Sequence, residues 1–326
     1  MIFFVVGLPD YFTNWCERFV AVLAAGSGAP AEILHANLPR EICRQMLEHG
    51  AVGSKIVLSI NQPGGRLRAA LAESQRPYLV ILDNPINALC ELICDKGQRF
   101  DAALRLAASS AAATVGCTFD RHAMVLRNRP RDDDVHGLCT AIAHHMEMPC
   151  TEAMLEWAVE AWKNFSHDRV YEWRENLDVV QRRVTQGVLG AFIHSEPNVP
   201  SRFYWPPCLF VGPNGASLEN VVDITGRARN LITGPGLTLP PGAWRLVLEL
   251  AFFGGALEHN FKVSVCAGKV LSTARVLPSH EGGLNVAVDF QIDHSVDDPV
   301  TVEISLDRAA FDGTIELRGA TVDVLQ

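Results

Sequence analysis

The chain has 326 residues, 48% of them hydrophobic and 20% charged, which is globular composition rather than that of a disordered chain and leaves room for two domains with separate cores. Its formal net charge of −9 argues against nucleic acid or an anionic membrane as the main partner. From Gly215 onward eight basic residues face fourteen acidic ones, and neither half carries a basic stripe.

In chain order, Ile2 to Val6 is an unbroken β-branched and aromatic run ending at Gly7, which reads as a strand buried on both faces of a parallel sheet. A loop from Leu8 to Asn14 and an amphipathic helix from Trp15 to Leu23 are expected to follow. A helix from Pro39 to His49 has proline in its first turn. Lys55 to Ile60 and Tyr78 to Leu82 are further buried strands, and Ile86 to Cys94 is helical. Leu104 to Ala113 reads as helix, Ala123 to Arg127 as a short strand, and Val135 to Met146, Thr151 to Trp162 and Tyr171 to Leu189 as helices. Alternating strands and helices predict an α/β domain with a parallel sheet covered on both faces.

Proline then clusters at Pro197, Pro200, Pro206, Pro207 and Pro213, and the apolar period changes to two. Trp244, Leu246, Leu248, Leu250 and Phe252 alternate with Arg245, Val247, Glu249 and Ala251, and a period of two recurs in Leu284 to Ile292, Val302 to Leu306 and Ala320 to Val324. Short strands with one apolar face, separated by turns such as Asp312-Gly313, predict an antiparallel β-sandwich or jelly roll. The expected division is an α/β domain over 1–195, a proline and aromatic linker over 196–214, and a sandwich over 215–326. Three adjacent rings, Phe203, Tyr204 and Trp205, are costly to leave in water, so they are expected to dock against both domains.

Nine cysteines at irregular spacing, with no CxxC pair, read as reduced buried thiols of a cytoplasmic protein. The apolar start is too short for a signal peptide, and no run approaches the ~20 apolar residues of a membrane span. No HExxH, paired Cys/His spacing or GxSxG elbow occurs, and His144-His145 cannot chelate from one helix because adjacent side chains diverge by about 100°. No metal site is expected.

The loop GLPDYFTNW, Gly7 to Trp15, resembles the phosphosulfate-binding loop of PAPS-dependent sulfotransferases, typified by GLPRSGTTW. In such a loop backbone amides and the positive helix end cradle a phosphate while a cation neutralises it. YLVILDNPINALCEL, from Tyr78, resembles the family's strand followed by RDPRDVxVS. AMVLRNRP from Ala123 and HHMEMPCTEAMLEWAVEA from His144 resemble later segments. RRVTQGVLGAF, Arg182 to Phe192, resembles the RxGxxGxW phosphate loop. The resemblance covers roughly residues 1 to 192 and implies a P-loop-type α/β fold. It also implies that the cofactor PAPS, or its desulfonated product PAP, would lie against Gly7, Leu8, Pro9, Thr13, Asn14, Trp15, Gly187 and Gly190.

Departures from the family's pattern are equally specific. Asp10 stands where the loop should carry a cation, and Tyr11 and Phe12 replace small residues. Asp83 replaces the phosphate-binding arginine of the second motif, and Glu91 falls on its later serine. A carboxylate 4 Å from a phosphate repels each unit of its charge by ~4 kcal/mol at an effective dielectric near 20, so normal cofactor binding is not expected.

The family's catalysis takes a base from His or Glu with help from Lys: His35 is the candidate base, with a surface or capping side chain as the alternative, and Lys55 could approach an anion, with an exposed strand-edge lysine as the alternative. NQPGGR, Asn61 to Arg66, ends a strand where open α/β sheets bind ligands, so Arg66 and Arg68 are anion-binding candidates; the alternative is a simple turn into a helix. Asp132 to Asp134 is a carboxylate run that reads as an exposed helix start. GPGLTLPPGAWRLVLELAF, from Gly234, resembles the opening of β-sandwich modules appended to bacterial glycan-processing enzymes. Tyr204, Trp205, Trp244 and Phe253 are the aromatic candidates for a sugar platform; Trp244 falls on the apolar face and reads as core, and Trp205, beside Pro206 and Pro207, has packing at the domain junction as its alternative.

Together these resemblances imply a degenerate sulfotransferase-like protein that binds or scaffolds in glycan or polysaccharide metabolism. The alternatives are an active sulfotransferase or related group transferase acting on a carbohydrate acceptor, and a structural protein that forms homo-oligomers or binds a protein partner.

Overall fold

The computed structural model describes residues 1–26, 31–37, 39–49, 54–164, 174–194, 201–213, 215, 218, 221–293 and 298–325. The chain divides into two compact units, Met1–Asp178 and Val179–Gln326.

The first unit is built on strands β1 (Ile2–Gly7), β2 (Glu32–His35), β3 (Ile56–Ile60), β4 (Tyr78–Ile81) and β5 (Ala123–Leu126). They form one parallel sheet in the order β2-β3-β1-β4-β5. Thus β1 is central, as its unbroken apolar run requires: Val5 and Val6 are fully buried. Strand β2 escapes the sequence reading because EILH is four residues long and polar at both ends. It sits at the sheet edge and pairs only with β3.

Helices α1 (Tyr11–Ala25), α2 (Pro39–His49), α3 (Gly65–Ser74), α4 (Pro85–Cys94), α5 (Phe100–Val115), α6 (Val135–His145) and α7 (Glu152–Lys163) complete this unit. On one face α1, α6 and α7 bury Phe12, Trp15, Phe19, Cys139, Ile142 and Trp162 against Val5, Val57, Leu79 and Ile81. Leu67 and Leu71 of α3 close the opposite face over Leu58, Ile60 and Val80, joined by Ile42 of α2. Trp15 and Phe19 stack with centroids 5.8 Å apart, and Trp162 meets Trp15 edge-on at 5.1 Å. The indole Nε1–H of Trp15 donates to the Ala158 carbonyl at 3.2 Å, which satisfies its one buried donor.

Helix α1 begins four residues earlier than its sequence pattern suggests. Asp10 has an extended backbone, and its Oδ1 accepts from the Thr13 amide at 2.8 Å, a side-chain cap that starts the helix at Tyr11. The expected Leu8 to Asn14 loop is therefore only a tight turn, closed by the Asp10 amide donating to the Leu8 carbonyl at 2.8 Å.

In the second unit, helix α8 (Val179–His194) precedes strand β6 (Arg202–Trp205), followed by β7 (Val222–Asp223), β8 (Arg229–Leu237), β9 (Gly242–Phe253), β10 (Phe261–Ala267), β11 (Lys269–Val276), β12 (Gly282–Ile292), β13 (Val300–Leu306) and β14 (Thr314–Val324). Two antiparallel sheets form, β11-β10-β13-β8 and β12-β9-β14-β6, with β7 also paired to β14. The period-two reading holds for most of β9: Trp244, Leu246, Leu248, Leu250 and Phe252 are fully buried, and Arg245 and Glu249 between them are exposed, whereas Val247 is half-buried and Ala251 buried.

Two expectations are corrected here. Phe203, Tyr204 and Trp205 are not linker residues but strand β6, paired with Val322, Thr321 and Ala320 of β14. Phe203 packs on Phe192 of α8 and on Trp244, so its burial is met within the second unit. The helix expected over Tyr171 to Leu189 lies partly outside the described residues; its described remainder is the last turn before Asp178 and the first part of α8.

The turn at Asp312-Gly313 shows why glycine is needed. Gly313 has φ +109°, and a Cβ there would lie 2.3 Å from the Ala256 amide nitrogen. Gly313→Ala is expected to cost the sandwich about 1–3 kcal/mol, since it adds a disfavoured backbone conformation to a backbone clash. Urea denaturation checks this; an unchanged midpoint would show that the turn relaxes freely.

Candidate functional site

In an open α/β sheet the ligand end is the carboxyl end of the strands. Here that end of β1 runs into α1 through Gly7, Leu8, Pro9 and Asp10. Gly7 allows this close turn: a Cβ would sit 2.6 Å from Thr13 Oγ1 and 3.1 Å from Ile81 Cβ. Leu8 and Thr13 are buried, Pro9 and Asn14 half-buried, and Trp15 is part of the aromatic core rather than a ligand-facing ring.

Three carboxylates converge at this corner on a single guanidinium. Arg129, which follows β5, donates through Nε to Asp83 Oδ2 at 2.6 Å and through Nη2 to Glu91 Oε1 at 3.2 Å; its Nη2 lies 3.8 Å from Asp10 Oδ2. The contributing segments are separate in sequence. Asp10 caps α1, Asp83 follows β4, and Glu91 lies on α4. All three carboxylates are buried. The other oxygen of Glu91, Oε2, accepts from the Tyr11 amide at 2.6 Å, an amide of the first turn of α1. Asn87, one turn before Glu91, donates through Nδ2 to Asp83 Oδ2 at 2.8 Å and accepts from Arg174 Nη2 at 2.5 Å.

Helix α1 thus presents the positive end that attracts anions, but the protein's own carboxylates occupy it. Asp10 takes the Thr13 amide and Glu91 takes the Tyr11 amide. Burial, reinforced by the charges of Asp83 and Glu91, holds the Asp10 carboxyl well above the usual carboxylate range. Burial likewise pushes Glu91 up to about 7, against the opposing pull of Arg129 and the Tyr11 amide. Burial works against the charge of Arg129, but Asp83, Asp10 and Glu91 outweigh it and hold the guanidinium protonated.

The remaining sequence candidates are dispersed. His35 is exposed at the end of β2, level with Ser59 of β3, while Lys55 precedes β3 at the opposite end and donates to the Ala25 carbonyl at 3.2 Å. Four residues of strand separate the two levels, about 13 Å, so they form no acid–base pair. Near His35, the buried Ser59 hydroxyl donates to Glu17 Oε1. Arg66 is exposed in the first turn of α3. Arg68 is half-buried and donates through Nη1 to the Pro63 carbonyl at 2.8 Å, holding the turn into its own helix. Asn61 to Arg66 is the turn into a helix that the alternative reading described.

Gly187 and Gly190 lie inside α8, not in a loop, and belong to the second unit. Gly187 faces the main chain of β6, with its would-be Cβ 3.0 Å from the Tyr204 carbonyl. Gly187 thus lets α8 approach β6, and Gly190 leaves room for the Gln186 side chain of the same helix. Trp205 is 1% exposed, which excludes it as a stacking platform for a sugar. The cysteines whose side chains are described are all free thiols. Among the described residues no group of three or more His, Cys, Asp and Glu side chains is placed to hold a metal ion, and no helix is long and apolar enough to cross a membrane.

Arg129 is the residue that sequence reasoning missed. AMVLRNRP contains both Arg127 and Arg129, and nothing local distinguishes them. The available signal was indirect: three acidic departures in motifs that neighbour one another in the fold require a buried cation.

No protein-family model matches this chain, and no curated relative matches it. Among solved structures, a mouse sulfotransferase complexed with PAP is similar at 10% identity and TM-score 0.41, over 59% of this chain and 84% of that one. The CBM22-1 and GH10 modules of a Clostridium thermocellum xylanase complexed with xylohexaose are similar at 14% identity and TM-score 0.25, over 39% of this chain and 25% of that one. A CBM36-1 domain of a xylanase from the hindgut metagenome of Trinervitermes trinervoides is similar at 9% identity and TM-score 0.26, over 38% of this chain and 98% of that one. These likenesses are distant.

Proposed function

We propose that this protein is a non-catalytic, sulfotransferase-like binding or scaffolding protein of glycan or polysaccharide metabolism. In this reading the α/β unit has lost PAPS binding, and the sandwich supplies the surface for a glycan. The observation that carries the first part is the occupation of the α1 amino end by Glu91 and Asp10, both gathered on Arg129. A phosphate entering there would have to displace a carboxylate from a backbone amide and then face the negative charge that remains. The glycan part rests on the resemblance of the segment from Gly234 to sandwich modules of glycan-processing enzymes. Trp205 and Trp244 are core residues, so aromatic stacking on a sugar would fall to exposed rings such as Phe311, which is 94% exposed.

Calorimetry of the whole chain tests the reading. PAP is expected to bind no tighter than millimolar, and micromolar binding would overturn the loss of cofactor binding. Titration with xylohexaose and other neutral oligosaccharides addresses the sandwich. Saturable heat that disappears in Phe311→Ala supports a glycan role there, and no heat with any oligosaccharide of a broad panel removes it.

A further inference from the structure

The outer strands of the sandwich differ in how they meet solvent. Natural sheets blunt an open edge with lysine, proline, a bulge or a very short strand, because its unpaired backbone is a template for another strand. Strand β11 carries Lys269 and Arg275, and its register with β10 shifts between Val265 and Cys266. Strand β8 holds Pro235 and shifts register twice against β13, and β6 is only four residues long. Strand β12 carries none of these devices. It runs for eleven residues, Gly282–Ile292, in unbroken register with β9. Among the described residues it pairs with β9 alone. Its one charged residue, Asp289, is held by Arg245 through Nε and Nη2, each at 2.7 Å. The core also stays slightly open along this edge. Leu284 is half-buried, and Val286 and Phe290 keep 7% and 6% of their surface, whereas Leu250, Leu248 and Trp244 opposite them on β9 keep none.

We propose that β12 is the interface of a symmetric dimer, in which two copies of this chain pair β12 antiparallel to β12 about a twofold axis at Ala287. The strand is complementary to itself in that register. Ala287 is the midpoint of the eleven residues, and its methyl group meets only its own copy. On the exposed outer face, Asn285 of one copy falls opposite Asp289 of the other, an amide donor against a carboxylate, and Gly283 falls opposite Gln291. On the inner face Val286 falls opposite Val288 and Leu284 opposite Phe290, so the apolar row of the sandwich continues across the axis. Directly opposed pairs of this kind stabilise a sheet, and like charges there destabilise it. The register sets no two like charges against each other, whereas an axis at Asp289 would oppose that carboxylate to its own copy. Eleven paired residues span ~37 Å and supply about ten backbone hydrogen bonds. Two paths of four strands thereby become one sheet of eight. The inference rests on neither the loss of cofactor binding nor the glycan role, since it uses only this edge of the sandwich.

Light scattering of the whole chain after size exclusion tests the proposal, and twice the mass of one chain is expected. Ala287→Lys leaves an exposed side chain in the single copy but sets two ammonium groups against each other on the axis, so the dimer dissociation constant should rise about tenfold. Ala287→Glu should weaken the dimer equally, and an equal mixture of the two variants should restore dimers containing one of each. Thr273→Lys, exposed on β11, should dimerise like the wild type. A wild type that is monomeric at about 100 μM, roughly −5 kcal/mol or weaker in association, overturns the proposal. A dimer of wild-type strength in both Ala287 variants also overturns it, because the contact then lies elsewhere. Should those variants not fold, Asn285→Asp decides: it sets a carboxylate opposite Asp289 on each side of the axis and should weaken the dimer about tenfold at low salt. No weakening there overturns the proposal.

Discussion

Arg129→Met is expected to lower the stability of the first unit by about 3–5 kcal/mol, the range found when one partner of a buried ion pair is removed. The loss comes from the groups left behind rather than from the bonds themselves. Asp83 and Glu91 would each lose their charged partner, and the Asp10 carboxyl would lose the guanidinium 3.8 Å from it. Methionine keeps most of the aliphatic volume, so the effect is electrostatic and not a cavity. Adding Asp83→Asn and Glu91→Gln to Arg129→Met should recover most of the loss, because neutral amides need no cation and still bond their neighbours. Denaturant unfolding of the two variants reads this directly. A mild effect of Arg129→Met, below about 1 kcal/mol, would mean that water enters the corner and that the cluster behaves like a surface ion pair.

Trp244→Ala is expected to cost the second unit about 3–5 kcal/mol, the usual range for deleting a large buried ring. Trp244 is fully buried on β9, touches Phe203 at a centroid distance of 5.7 Å and donates through Nε1 to the Pro240 carbonyl at 3.0 Å. Its removal empties the place where β6, β9 and the turn before β9 meet. Circular dichroism melts should show the sandwich transition shifting strongly. Arg245→Ala, next in sequence but exposed and paired with Asp289 of β12 at the surface, should shift it little. Equal effects of the two substitutions would contradict the inward orientation of Trp244.

The amino-acid sequence by itself determined the two architectures. A β-branched run such as Ile2 to Val6 has no polar face to turn toward water, so it occupies the centre of a parallel sheet. Strict alternation from Trp244 to Phe252 leaves one face apolar, and burying that face makes a sandwich. These signals are local and repeat with a fixed period. It also showed, through Asp10, Asp83 and Glu91, that the phosphate-binding motifs carry the wrong charge for their resemblance.

Tertiary structure alone decided the rest, because each remaining point depends on residues distant in sequence. Phe203 to Trp205 read as linker until β14 supplied a strand for them to pair with. Gly187 and Gly190 match a loop motif in spacing, yet α8 absorbs them since a helix can approach β6 closely at Gly187. His35 and Lys55, each a separate candidate in the sequence, lie at opposite ends of neighbouring parallel strands. Arg129 gained its role only when three chain segments brought three acids to it: a buried charge is compensated by whichever cation the fold places within reach, and no sequence spacing encodes that distance.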